Sequence, residues 1–392
     1  MNQRTNEILF SLLRSVICGT ECAVADISME EFIDLLSLSR KHDVEHLIIT
    51  ALDNNGLTPE NCGDIKNKVL ETIYRYEQLN YEFDKICKVF ETTKIPFIPL
   101  KGAVIRKCYP EEWMRTSCDI DILVRDKDLE KAVLTLADGC GFEYLKKGSH
   151  DVALVTQSKI RVELHYTLIE ENVSESVSKI LGEVWESAEP CEGCVSMHSM
   201  CDEMFCFYHI AHMAKHFLNG GCGIKPFIDF WILESNCCVD NKEYEVLLKR
   251  GKLYEFSEAV RKLSKVWFGD AEKDGLTEQM ESYILDGGVY GDSKNRIAVR
   301  RQEKGSSKKY LFSRIFLPYD ELKFHYPILQ KHRFLTPIIE IVRWFRLIFC
   351  GDSKRVLAEI HQINKITEQE TESTGKFLAD IGLLDIKNGG IR

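Results

Sequence analysis

The 392-residue chain predicts an α+β fold: a small mixed β-sheet within residues 94–200, flanked by a helical region at 1–93 and a mostly helical one at 201–392. Three observations carry this prediction. Apolar residues recur every three or four positions through both flanks, the period of a helix with one buried face. The texture changes at Ile95-Pro96-Phe97-Ile98-Pro99-Leu100, which has strand character. Most informative is Asp119-Ile120-Asp121-Ile122-Leu123-Val124, an apolar run broken twice by aspartate.

Leu9, Leu12, Leu13 and Val16 share a helical face, as do Phe32, Leu35 and Leu36. A longer helix is expected over 65–92, with Val69, Ile73, Tyr76, Leu79, Phe83, Ile86 and Phe90 in step. The two prolines of the Ile95–Leu100 run place it at a sheet edge or a strand end, because proline donates no ladder hydrogen bond. A helix starts at Lys101-Gly102-Ala103. After the aspartate strand, a helix over about 127–137 is ended by the Gly139-Cys140-Gly141 turn. Strands follow at 142–145, 152–156 and 160–168, the last two joined by Gln157-Ser158-Lys159. The order β-α-β-α-β-β-β describes a small unit with a mixed sheet.

Downstream, helices are expected near 202–218, 225–235, 242–251, 255–267 and 276–286, and again at 338–349 and 354–366. The basic stretch Arg300–Lys309 reads as a solvated loop. The run Trp344-Phe345-Arg346-Leu347-Ile348-Phe349 fits either the core face of a packed helix or a membrane-surface contact.

A net charge of −10 argues against a main role in gripping nucleic-acid backbone, so a long nucleic acid is a disfavoured partner. No window of about 18 apolar residues predicts a membrane span. The first residues lead into an amphipathic helix without the apolar stretch of an export signal. Fifteen cysteines then point to free thiols in a reducing cytoplasm.

Strand alternation puts Asp119 and Asp121 on one face, about 7 Å apart, with Ile120, Ile122 and Val124 on the other. Two like charges on a half-buried strand are poorly solvated and repel, and a hard divalent cation offsets both problems. In Ile160-Arg161-Val162-Glu163-Leu164-His165-Tyr166 the same alternation puts Arg161, Glu163 and His165 together. Glu163 would thus face the cleft of the aspartates, unless it is a solvent-facing partner of Arg161. Three such carboxylates suit magnesium or manganese ions that clamp a triphosphate and an attacking hydroxyl. Lys101-Gly102-Ala103, at a strand-to-helix junction, offers backbone N–H groups and a mobile charge to an anion. Arg115 would neutralise phosphate or pair with Asp121 or a loop carboxylate.

His209, His212 and His216 share one helical face, which suits metal ligation, a substrate cleft or plain packing. Lys225, after a glycine-rich helix end, would reach an anionic substrate, with Asp229 anchoring that loop. Cys191, Cys194, His198 and Cys201 have a spacing that hints at zinc, but Glu192-Gly193 equally suits a hairpin turn.

These motifs resemble the DNA-polymerase-β-type nucleotidyltransferase superfamily, and within it a family of uncharacterised bacterial nucleotidyltransferases. The resemblance covers roughly residues 90–235. It rests on Leu100-Lys101-Gly102, Arg115, Asp119-Ile120-Asp121-Ile122-Leu123-Val124, Glu163-Leu164-His165 and His212-Met213-Ala214-Lys215-His216. It implies a nucleotidyltransferase core in which Asp119, Asp121 and Glu163 hold Mg2+ or Mn2+ and do the catalysis, with Glu163 also a candidate base. Lys101, Gly102, Ala103 and Arg115 would bind the nucleotide, with His165, His212, Lys215, His216 and Lys225 lining the substrate cleft. Ala103 departs from the superfamily's usual serine or glycine, and the Gly102-to-Asp119 gap is long. The expected reaction moves a nucleoside monophosphate from NTP to a hydroxyl of an unidentified small molecule or protein. The alternatives are a catalytically silent nucleotide- or metabolite-binding module on the same fold, and an interaction scaffold built on the helical flanks.

Overall fold

The computed structural model describes residues 3–59, 65–169, 174–237, 239–304, 316–317, 319, 322–323, 326–349, 366–385 and 390–391. All but the last residue of the helix expected at 354–366, and the second half of the basic stretch, lie outside these residues. The chain forms two compact units: 1–215 with 222–290, and 216–221 with 291–392.

The first unit opens with α1 (Gln3–Cys18), α2 (Met29–Lys41), α3 (Glu45–Asn54) and α4 (Ile65–Thr93). The apolar faces read from the sequence are buried: Leu9, Leu12 and Leu13 in α1, Phe32, Leu35 and Leu36 in α2. Ser28 caps α2 in a capping box with Glu31, satisfying two N–H groups at its start. In the 29-residue α4 only Leu79, Glu82, Ile86 and Phe90 are buried, all in its second half.

Strands β1 (Phe97–Pro99), β2 (Asp119–Val124), β3 (Glu143–Lys147), β4 (Asp151–Val155) and β5 (Arg161–His165) form one sheet in the order β1-β2-β5-β4-β3. β2 and β5 run parallel; the other three pairings are antiparallel, so the sheet is mixed as expected. The short α5 (Gly102–Ile105) and α6 (Leu129–Cys140) fill the connections. Gly141, at φ +69°, ends α6 in the left-handed conformation that glycine adopts at little cost. Gly139 stays helical, where an added Cβ would sit 3.2 Å from Val89 of α4. The proline-flanked β1 is the terminal strand. Its Phe97 N–H donates to Ser196 O, and the Glu91 carboxylate fixes the covering segment by accepting from the N–H groups of Val195, Ser196 and Met197.

One sheet face is apolar. Ile120, Ile122, Val124, Val162 and Leu164 pack with Leu79, Ile86 and Phe90 of α4 and Leu136 of α6. Phe90 and Phe97 meet edge to face at 5.3 Å, a geometry worth about 0.5–1.5 kcal/mol beyond burial. The opposite face of β2 and β5 carries the polar residues.

After α7 (Glu175–Gly182) come the two-stranded hairpin β6 (Glu189–Pro190) and β7 (His198–Ser199), then α8 (Asp202–Leu218), α9 (Lys225–Asn236), α10 (Asn241–Arg250), α11 (Tyr254–Phe268) and α12 (Gly275–Gly287). These match the expected helices within two residues. Trp267 at the end of α11 is buried; its ring stacks on Phe10 at 4.4 Å and its N–H donates to Glu281.

In the second unit, one sequence expectation is corrected. α13 (Ser293–Lys304) carries helix through the first half of the stretch read as a solvated loop. Arg301 is buried there and donates to Ile366 O at 2.6 Å. A guanidinium with a fixed acceptor is stable inside, and the charge run misrepresented it. The helix Thr336–Phe349 exposes Ile338, Ile341, Val342 and Phe345, at i, i+3, i+4 and i+7. Trp344 does pack, 5.9 Å from Phe316. No helix of the described residues is long and apolar enough to cross a membrane.

Candidate active site

The register of β2 on β5 builds the site. Asp119 pairs with Arg161, Asp121 with Glu163 and Leu123 with His165. Directly paired residues point to the same side of a sheet, so Asp119, Asp121, Glu163 and His165 all leave the apolar core on one face. β1 contributes by its antiparallel register. Pro99 pairs with Ile122 and the Leu100 N–H donates to Asp121 O, which brings Lys101 beside the aspartates.

Within this face, Asp121, Glu163 and His165 place one ligand atom each within 4.8 Å of one another. His165 Nε2 lies 2.9 Å from Asp121 Oδ1 and 3.8 Å from Glu163 Oε2. Arg161 holds the other Glu163 oxygen at 2.7 Å, and Lys101 Nζ lies 3.5 Å from Asp121 Oδ2. Asp119 stands outside the converging group. Two carboxylates and one imidazole could hold a divalent cation, a more mixed group than the three carboxylates expected from the sequence.

Burial alone would raise the Asp121 carboxyl, but the Lys101 ammonium and His165 hold it well below the usual carboxylate range. Asp119 goes the other way, raised by burial and by the charge of Asp121. Glu163 is raised by burial and by both aspartates. One face therefore holds a firmly ionised carboxylate next to two that take protons more readily, the pattern of groups with divided acid–base roles.

Lys101 adopts φ +41° and ψ −112°, a left-handed conformation costly for a residue with a Cβ. Its ammonium stays charged despite burial because Tyr208, Asp121, Asp119 and Glu163 surround it. Tyr208, buried on α8, lies near the Lys101 ammonium, and burial pushes its phenol up to about 12. Lys215 occupies the same helix face seven residues on; burial and Lys101 pull its ammonium down to about 8. His212 lies between them, its ring 6.3 Å from that of Tyr208. The sequence reading missed Tyr208, although its i, i+4, i+7 spacing with His212 and Lys215 marks a shared face.

Gly102 is buried and tightly enclosed. A Cβ there would sit 2.5 Å from Ser117 Oγ and 3.2 Å from an Arg115 nitrogen. Arg115 donates from Nε and Nη2 to the two oxygens of Asp229 at 3.1 and 2.7 Å, with Tyr109 donating to the same carboxylate at 2.7 Å. Burial would raise Asp229, but Arg115 keeps it ionised and low. Arg115 thus pairs with neither Asp121 nor a loop carboxylate, and Asp229 is tied to the segment before β2 rather than to the glycine-rich loop. Lys225 is bound at 2.8 Å to Asp43 Oδ2 and also donates to Thr116.

His209 shares a hydrogen bond with Pro226 O, and His216 belongs to the second unit. Cys191 and Cys194 lie in the turn of the β6–β7 hairpin, with Gly193 at φ +74°, and His198 is bonded to Ser196 O. Among the described residues, ligand groups converge only at Asp121, Glu163 and His165.

A cleft of 1060 Å³ adjoins the start of β2. Its walls are α2–α3, the first half of α4 and the segment 106–118, and it was not anticipated from the sequence. A smaller cavity of 180 Å³ is lined by Asp119, Ala103 and Asp84, and shares Leu79 and Arg106 with the cleft.

No curated protein matches the chain. Among solved structures, the solution structure of the antibiotic-resistance factor ANT(2'')-Ia matches with 10% identity and a TM-score of 0.33, over 44% of this chain and 90% of that one. The model of a family described as "Uncharacterised nucleotidyltransferase" matches residues 28–269, which include the sheet, its carboxylates and the walls of the cleft. The chain belongs to this uncharacterised nucleotidyltransferase family.

Proposed function

We propose that the protein is a metal-dependent nucleotidyltransferase that moves a nucleoside monophosphate from NTP to an acceptor hydroxyl, with pyrophosphate leaving. The observation that carries this reading is the pairing of Asp121 with Glu163 across β2 and β5, with Asp119 on the same face. Asp121, Glu163 and His165 have the donor chemistry and spacing to hold a divalent cation, Mg2+ or Mn2+. When bound, the cation would neutralise triphosphate charge and acidify the acceptor hydroxyl.

The remaining roles belong to the chain. Asp119, outside the ligand group and with a raised carboxyl, takes the proton of the acceptor hydroxyl. The acceptor oxygen then bonds to the α-phosphorus as the bond to the bridging oxygen breaks. Glu163, also raised, is the alternative base. Lys101 and the backbone of the Gly102–Ala103 turn face the phosphates, with Lys215 as a second cation. Arg115 positions the segment before β2 through Asp229.

The test is release of pyrophosphate from the four NTPs, with and without Mg2+ or Mn2+, by the wild type and by Asp119→Asn and Asp121→Asn. Both substitutions are expected to lower turnover at least a hundredfold. Unchanged turnover in both variants would falsify the carboxylate mechanism.

A further inference from the structure

The 1060 Å³ cleft suits a substrate rather than a structural void. Its charge runs against that of the chain, whose net charge is −10: five Lys and Arg side chains line it against three carboxylates. Those carboxylates are already engaged, Glu45 by Arg40, Asp43 by Lys225 and Glu71 by Lys68. Arg106 and Arg115 are committed to Gly102 O and Asp229. Arg75 differs. It donates to Cys118 O at 3.2 Å and, among the described residues, meets no carboxylate. Trp113 and Tyr76 give the walls aromatic surface, and Asn67, Thr72 and Ser117 give them hydroxyl and amide groups.

The position of the cleft is as informative as its lining. Cys118, on its wall, immediately precedes Asp119, so the two Cα atoms are about 3.8 Å apart. Ser117, also on the wall, touches Gly102 of the phosphate-facing turn from the other side. The wall of the cleft thus reaches the residue before Asp119, whose own side chain lines the 180 Å³ cavity that shares Leu79 and Arg106 with the cleft.

We propose that this cleft seats the acceptor, and that the acceptor is a small phosphorylated sugar or polyol. Its phosphate meets Arg75, whose planar fork matches phosphate oxygens. Its ring or carbon skeleton lies against Trp113 and Tyr76, and a hydroxyl projects past Cys118 toward Asp119. This inference rests on the nucleotidyltransferase reading and adds the substrate class to it.

The experiment is calorimetry on the full chain with glucose 6-phosphate, ribose 5-phosphate and glycerol 3-phosphate. Unphosphorylated glucose, ribose and glycerol and inorganic phosphate serve as controls, and a non-hydrolysable ATP analogue with Mn2+ is titrated separately. The variants are Arg75→Glu, which reverses the charge, and Thr72→Trp, which fills the cleft from α4. At least one sugar or polyol phosphate is expected to bind at least tenfold tighter than its unphosphorylated form. Both variants are expected to weaken it tenfold or more while analogue affinity stays within twofold. Equal weakening of the analogue would assign the cleft to the nucleotide and overturn the proposal, as would failure of all three phosphates to bind the wild type. If the analogue does not bind the wild type, the nucleotidyltransferase reading itself falls, whatever the sugar phosphates do.

Discussion

His165 Nε2 lies 2.9 Å from one oxygen of Asp121, and Lys101 Nζ lies 3.5 Å from the other. A single carboxylate is thus held between an imidazole and an ammonium. An imidazole among the donors shifts preference from magnesium toward first-row transition metals. Titrated with the metal alone, the protein is expected to bind Mn2+ more tightly than Mg2+. His165→Gln should lower Mn2+ affinity about tenfold or more and Mg2+ affinity less. Equal losses for both ions would remove His165 from the donor set.

Gly102 and Ser117 give a steric prediction. With 2.5 Å between a built Cβ and Ser117 Oγ, Gly102→Ala must displace the segment before β2. It is expected to destabilise the fold by about 1–3 kcal/mol, as overpacking does. Adding Ser117→Gly removes the obstructing atoms and should restore most of the loss. Urea denaturation of the two single variants and the double variant measures the coupling.

The backbone of Lys101 can be tested apart from its charge. Lys101→Ala and Lys101→Gly both remove the ammonium, but only glycine adopts φ +41° without a Cβ penalty. The glycine variant is expected to be the more stable by about 1 kcal/mol or more. Equal melting temperatures would show that the conformation is not strained.

Removing one member of the Arg115–Asp229 pair leaves the other charged and buried. Arg115→Ala should cost about 3–5 kcal/mol, whereas Arg115→Met combined with Asp229→Leu should recover much of it. Denaturant midpoints at fixed pH decide between these outcomes.

Acid sensitivity follows from His42 and His46. Both are buried and pulled down to about 4, chiefly by desolvation. The unfolded chain binds protons on them near pH 6.5 and the folded chain does not, so their contribution is full above about pH 6.5. It is lost as pH falls from there toward 4. The expected loss is of the order of 1–3 kcal/mol per imidazole. His46→Gln should flatten the stability profile in that window, and an unaltered slope would exclude the assignment.

Strand alternation made the polar face legible: one period-two rule placed Asp119, Asp121, Glu163 and His165 together, and the register agrees. Which of them converge was not legible. That depends on side-chain reach across the strand pair and on Arg161 drawing one Glu163 oxygen away. Arg115 found its partner 114 residues downstream, and Arg301 found a carbonyl 65 residues away. Local pattern carries no information about such pairings, which is why Arg115 was read as a phosphate contact or a nearby ion pair and Arg301 as part of a solvated loop. The cleft was hidden for a related reason, since it is built by three separate segments whose relative packing no local pattern fixes.

The uneven burial of α4 has a consequence for specificity. Its second half is locked into the sheet through Leu79, Ile86 and Phe90, while its first half contributes Asn67, Lys68, Thr72 and Arg75 to the cleft. At 1.5 Å per residue the helix runs about 43 Å, so the two roles overlap only near Leu79, which both lines the cleft and packs on the sheet. Asn67, Lys68, Thr72 and Arg75 lie outside the sheet core. On the proposed function, the helix would act as an interchangeable faceplate, on which the accepted substrate could change while the carboxylate-bearing strand pair is kept.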